Sequence, residues 1–149
     1  MKKLFLFLLA LPMLAMVACD DDNTPEVNVN VSYKNATVVD GTAYVIKDSV
    51  ASIERLWVEA VNPDHTATII RPVNYIFSNG LAGVGDPVNN GIMLYTDSVG
   101  TYVVSAAFEV AEEDCSLAVC AAQWDYKVVN DSTEIPQGGT ADGIVSKRN

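Results

Sequence analysis

The sequence predicts an all-β protein: an antiparallel two-sheet sandwich of about seven strands. Three observations carry that expectation. The apolar residues repeat with a period of two, not 3.6. Turn-forming residues separate the alternating runs at short intervals. The alternating part is about 105 residues long by its bounds, Glu26 to about Asn130, which is enough for one hydrophobic core.

The elements follow in order along the chain. Val27, Val29, Val31 and Tyr33 alternate with Asn28, Asn30 and Ser32, so the first strand has one apolar face and one wet face. Thr37–Val39 and Ala43–Ile46 flank Asp40-Gly41, either as a small hairpin or as one strand broken by a bulge. Lys47-Asp48 is a short turn. Ser52 to Val61 places Leu56, Val58 and Ala60 on one face, with Trp57 and Glu59 opposite. Asn62-Pro63-Asp64-His65 is a turn. Thr66–Ile70 and Val73–Phe77 are extended and are separated by Arg71-Pro72, where proline cannot donate to a central ladder. Ser78 to Asn90 reads as a loop, and Ile92–Tyr95 as a short strand. Thr101 to Val110 is the strongest strand, with Tyr102, Val104, Ala106, Phe108 and Val110 in phase. Ala111 to Cys115 is a turn or bulge. Ala121 to Val129 is the last strand, with Trp124, Tyr126 and Val128 in phase. A helix over Val110–Ala122 is the rival reading, and it lacks a clean apolar stripe. From Asp131 to Asn149 the chain turns polar and glycine-rich and reads as a disordered tail.

Charge narrows the partners. The 149 residues carry 9 basic and 19 acidic side chains, net −10. Removing a leader through Ala18 would take away Lys2 and Lys3 and leave about −12. That sign argues against a nucleic-acid partner and against binding an anionic membrane by the protein surface.

The N-terminus has its own signature. Met1-Lys2-Lys3 precedes an uncharged stretch, Leu4 to Ala18, that is too short for a stable membrane span and reads as a secretory signal. It ends at Cys19-Asp20-Asp21-Asp22, and Ala15-Met16-Val17-Ala18-Cys19 resembles a bacterial lipobox. That likeness implies a diacylglycerol on the sulfur of Cys19, so the membrane is a partner through the lipid. Residues 19–25 then form an acidic tether. Cysteine plus acidic run resembles the surface-export signal of Bacteroidetes-type lipoproteins. It implies an outer-membrane, lipid-anchored protein exposed at the cell surface, with a periplasm-facing anchor as the alternative.

A second resemblance lies before the strongest strand. Asp97-Ser98-Val99-Gly100-Thr101-Tyr102 resembles the loop and tyrosine that lead into the sixth strand of immunoglobulin-like domains. Val104 stands where antibody domains place the inter-sheet cysteine. The likeness is therefore to the looser immunoglobulin-like sandwiches found as modules in bacterial surface proteins. Together the leader, tether and sandwich resemble small Bacteroidetes lipoproteins. The likeness makes Gly100 and Tyr102 a structural corner, with the tyrosine hydroxyl bonded back to backbone.

Each remaining candidate has a bland reading beside it. Cys115 and Cys120 would sit in an oxidising compartment. A disulfide between them is expected; it needs a loop or bulge at Ser116–Val119, because in a straight strand they face opposite sides, and the alternative is two small buried residues. His65 is the only histidine and reads as an exposed turn residue. Zinc needs three or four ligands, which one histidine and two cysteines do not readily supply, so no metal and no cofactor are expected. Glu112-Glu113-Asp114 is the only acidic cluster inside the domain, and no catalytic residue is assigned. Trp57, Tyr75, Tyr95, Trp124 and Tyr126 would make a sugar platform if exposed together and core residues if not. Trp57 is the candidate surface aromatic, because it falls out of phase with Leu56 and Val58. Ser49, Ser98 and Ser132 each follow an aspartate, as in the Asp-Ser/Thr-apolar site of O-glycosylation in Bacteroidetes.

These readings lead to an exported, lipid-anchored, non-enzymatic binding or adhesion-type module, a monomer, with a glycan or an outer-membrane protein as partner. The alternatives are an accessory subunit of a larger outer-membrane complex and, more remotely, a small hydrolase. An exposed apolar patch on one sheet face or edge would favour the accessory subunit.

Overall fold

A computed structural model describes residues 26–86, 91–112 and 115–148, with side chains 112–118 excluded. It is all-β, with two sheets packed face to face. The strands are β1 (Val27–Lys34), β2 (Thr37–Val39), β3 (Thr42–Ile46), β4 (Ser52–Ala60), β5 (Ala67–Ile69), β6 (Val73–Phe77), β7 (Ala82–Gly85), β8 (Ile92–Met93), β9 (Gly100–Glu112), β10 (Cys115–Val129), β11 (Thr140–Ala141) and β12 (Ile144–Arg148). The smaller sheet has the order β12-β1-β4-β8. The larger runs β11-β2-β3-β10-β9-β6-β7, with β5 paired to the far end of β9.

The period-two pattern builds the core directly. Val27, Val29, Val31 and Tyr33 point inward from β1, and Leu56 and Val58 from β4. Val73, Tyr75 and Phe77 come from β6, and Val104, Ala106, Phe108 and Val110 from β9. Cys120, Trp124, Tyr126 and Val128 complete it from β10. Asp40 and Gly41 both have positive φ, at 47° and 76°, as a tight hairpin turn between β2 and β3 requires.

Four expectations are corrected, and one rejected alternative falls away. Twelve strands are present among the described residues where about seven were expected, because short edge pieces such as β7 lie inside the expected Ser78–Asn90 loop. The sandwich is not wholly antiparallel: Tyr126–Val129 of β10 runs parallel to Ala43–Ile46 of β3. The rival helix over Val110–Ala122 is absent among the described residues, which there belong to β9 and β10. Asn30 is not wet: it is 5% exposed, opposite Trp57 and Ser146, with its Nδ2 unpartnered.

The last correction is the largest. The sandwich does not end near Asn130. Residues 131–148 form a 3-10 turn (Ser132–Glu134) and then β11, which joins the large sheet, and β12, which joins the small one. Val145 is buried in the core. The glycines that suggested disorder serve close packing. A Cβ on Gly139 would lie 2.5 Å from Thr37 Cγ2, and one on Gly143 2.8 Å from Val38 Cβ.

Candidate functional site

The sequence candidates do not converge. Cys19 and the acidic run Asp20–Asp22 lie outside the described residues. So do the side chains of Cys115 and of Glu112-Glu113-Asp114. The expected Cys115–Cys120 disulfide therefore falls outside the description. Cys120 is buried beneath β10, and the pairing with β9 shifts register between Cys115 and Ala118. His65 sits in an exposed turn where its N–H donates to Asn62 O at 3.1 Å. Ser98 and Ser132 are exposed, whereas the Ser49 hydroxyl is buried without a partner. Among the described residues no three His, Cys, Asp or Glu side chains gather as metal ligands do.

The aromatics divide. Tyr75, Trp124 and Tyr126 are core residues, as is Tyr33. Burial raises the hydroxyl pKa of all three tyrosines, that of Tyr75 to about 12; neighbouring tyrosines add to the rise at Tyr33 and Tyr126. Tyr95 and Tyr102 meet edge to face at 5.4 Å, and Tyr102 stacks on Tyr126 at 5.3 Å. The Tyr102 hydroxyl donates to Ser98 O and that of Tyr126 to Tyr95 O, both at 2.8 Å. Gly100, at φ 158°, opens β9 beside them. These contacts pin a corner and leave no row of exposed rings.

Of the five candidate aromatics, Trp57 stands on an outer face, that of the small sheet. It is half-buried. The Arg55 guanidinium lies 4.8 Å from its ring centroid, and its indole N–H donates to Glu59 at 3.2 Å. Its neighbours across the sheet are mostly polar or charged: Asn30 and Ser146 share its row, Arg148, Asn28 and Glu59 form one adjoining row, and Ser32 and Arg55, with the exposed Ile144, form the other.

The outer face of the large sheet is different. The register aligns Ala121, Ala107, Asn74 and Val84 in one row and Gln123, Ser105, Ile76 and Ala82 in the next. Val119 extends the first row's apolar end. Val119, Val84 and Ile76 are 73%, 67% and 58% exposed, and none of the nine side chains is charged. Charge returns only at the margins, with Asp125 at one end and Glu109 at the other, where Arg71 pairs with it at 2.6 Å. Short side chains make this face flat. Monomeric soluble proteins rarely expose large contiguous apolar patches. The sequence carried a signal for this face: the central outward positions of the two long strands, Val103, Ser105, Ala107, Val119, Ala121 and Gln123, hold no charge in a chain of net −10.

No protein-family model matches the chain, and neither a curated protein nor a solved structure matches it.

Proposed function

We propose that this chain is an exported, lipid-anchored, non-enzymatic binding module that docks a protein through the outer face of its large sheet, a patch that favours the accessory-subunit form of that role. The observation that carries the reading is the charge-free, flat, apolar patch of Ile76, Ala82, Val84, Ala107, Val119 and Ala121 on a strongly acidic chain. Water gains from the loss of such a surface, and a flat face of short side chains suits a protein better than a small ligand, which needs concavity. A glycan partner has less support, because four of the aromatic rings lie in or against the core and Arg55 covers Trp57.

The cellular setting belongs to the same proposal. Cys19 in its lipobox-like context supplies the outer-membrane anchor, and Asp20–Asp22 the surface-export signal. An immunoglobulin-like identity for the sandwich is supported by the Tyr102–Ser98 hydrogen bond and by the parallel pairing of β3 with β10. The Cys115–Cys120 bond in the oxidising compartment stays part of this reading.

The test is site-specific photo-crosslinking in cells producing the full chain. A photoreactive residue at Ile76 is expected to give a discrete adduct with a different protein, and one at Glu59 none. Glycan binding that requires Trp57, with no adduct from Ile76, would overturn the reading.

A further inference from the structure

An edge, as distinct from a face, carries the further inference. β10 pairs with β9 along its length, but β3 covers its other side only from Tyr126 to Val129. Among the described residues, no strand lies against that side from Val119 to Asp125. The backbone there points outward. Glu109 O accepts from Ile70 N and Val103 O from Ser78 N, both away from β10. Val119 and Asp125, opposite Glu109 and Val103, therefore turn their own N–H and C=O away from β9. By alternation Ala121 and Gln123 do the same, and Gln123 O accepts from Lys147 Nζ at 2.7 Å.

An open edge pairs with other strands unless something prevents it, and proteins shorten such edges or charge them. Among the described residues, the other open edges obey that rule. β5, β7, β8 and β11 have two to four residues each, the open part of β4 carries Glu54, Arg55 and Glu59, and β12 carries Lys147 and Arg148. Val119 to Trp124 of β10 has no charge, no proline and no glycine. A groove of about 400 Å³ runs beside it, lined by Ala121, Ala122, Gln123, Val29, Lys147 and Arg148. Of the two cations in that groove, Lys147 reaches the edge through a single hydrogen bond, and Arg148 pairs with Glu26.

We infer that two copies of this chain join edge to edge along β10, antiparallel about a twofold axis at Ala121. An antiparallel edge is complementary to itself under such an axis. Ala121 then faces its own copy and Val119 faces Gln123 of the other chain, so no like charges meet. In a chain of net −10, that is the property a second copy requires, and a partner chosen by opposite charge would find nothing to read here. The Lys147–Gln123 bond gives way to backbone pairing, and the two charge-free faces become one surface. This inference goes beyond the docking role and stands on the edge alone.

Sedimentation velocity of the full-length lipoprotein in detergent tests it. The native chain is expected to show a monomer–dimer equilibrium. Ala121→Lys, which sets two cations face to face, should weaken dimerisation by about tenfold or more. Ala121→Pro should do the same, since it removes an outward N–H and no bond to β9. Ile76→Lys, on the docking face, should leave the dimer within about twofold. The inference is overturned by a native chain that stays monomeric up to about 1 mM, or by a dimer that both Ala121 variants leave intact. Loss of the crosslinked partner in Ile76→Lys with the dimer retained would separate the two proposals.

Discussion

The two outer faces of this sandwich are built from the same alternation and have opposite chemistry. On the small sheet the outward residues include Arg55, Trp57, Glu59, Lys34, Glu54 and Arg148, and they satisfy one another: Arg55 over Trp57, Trp57 to Glu59, Lys34 to Glu54 at 3.6 Å, and Arg148 to Glu26. Exposed pairs of this kind add little stability but keep the surface wetted. At the centre of the large sheet the outward residues are alanines, valines, Asn74, Ile76, Ser105 and Gln123, and Gln123 Nε2 donates to Ser105 Oγ at 3.1 Å. Folding requires only that the inward half of each strand be apolar. The outward half is free to vary, so the contrast between the faces points to use.

The two tryptophans give the strongest way to test that contrast. Trp124 lies wholly inside, opposite Val104, and Trp57 lies on the polar face. Trp124→Ala is expected to cost about 3–5 kcal/mol. Trp57→Ala should cost about 1 kcal/mol, because the ring is only half-covered and its partners can hydrate. Denaturant unfolding of the two variants measures both. Equal costs would place Trp57 in the core and remove the distinction between the faces.

Alkali probes the packing between the sheets. Tyr33, Tyr75 and Tyr126 have hydroxyl pKa values raised above the ordinary value near 10, chiefly by burial, Tyr75 to about 12. A group that holds its proton more tightly when folded stabilises the fold fully below its unfolded pKa and loses that contribution as pH rises through the folded value. Stability is therefore expected to hold to about pH 10 and then to fall toward pH 12. Tyrosinate absorbance should rise together with unfolding, whereas surface tyrosines would titrate first with the fold intact.

The small face depends on β12 for one of its margins. Val145 is 2% exposed and anchors that strand against the core. Val145→Ala should cost about 1–3 kcal/mol, near the lower end of large-to-small core changes. A disordered tail would give no cost, so chemical denaturation separates the two descriptions.

That tail shows where sequence reading stops. β1 was legible because four apolar residues alternate without interruption and all four are buried. The strong β9 and the Asp40-Gly41 hairpin were legible for the same local reasons. β12 was not, because its one core contact, Val145, sits among Ser146, Lys147 and Arg148 and behind glycines, a composition that disorder shares. Gly139 and Gly143 differ from linker glycines only through the neighbours that fill their missing Cβ positions, and those neighbours are about 100 residues away in the chain. The parallel β3–β10 pair was hidden likewise, since periodicity reports which face a residue takes and not which strand lies beside it. The charge-free face was half-legible: uncharged outward positions can be read along β9 and β10, but the addition of Ile76, Ala82 and Val84 is a fact of sheet order.

The smallest effect on stability belongs to the substitution that best separates the two faces. Ile76 is exposed, and its Cβ stands between Ser105 and Ala82 with room above it. Lysine keeps the extended backbone and places its charge in water, so Ile76→Lys is expected to change unfolding free energy by no more than about 0.5 kcal/mol. Glu59→Lys, on the opposite face, should be as mild. Their effects on docking should differ sharply. A lysine at position 76 puts a cation at the middle of a patch whose value lies in shedding water, and desolvating an unpaired charge there is costly. Crosslinking from a photoreactive residue at Val84 should then fall to background in Ile76→Lys and stay at the native level in Glu59→Lys. Equal crosslinking in the two variants would mean that the charge-free face is a bystander and that the polar face, or neither, makes the contact.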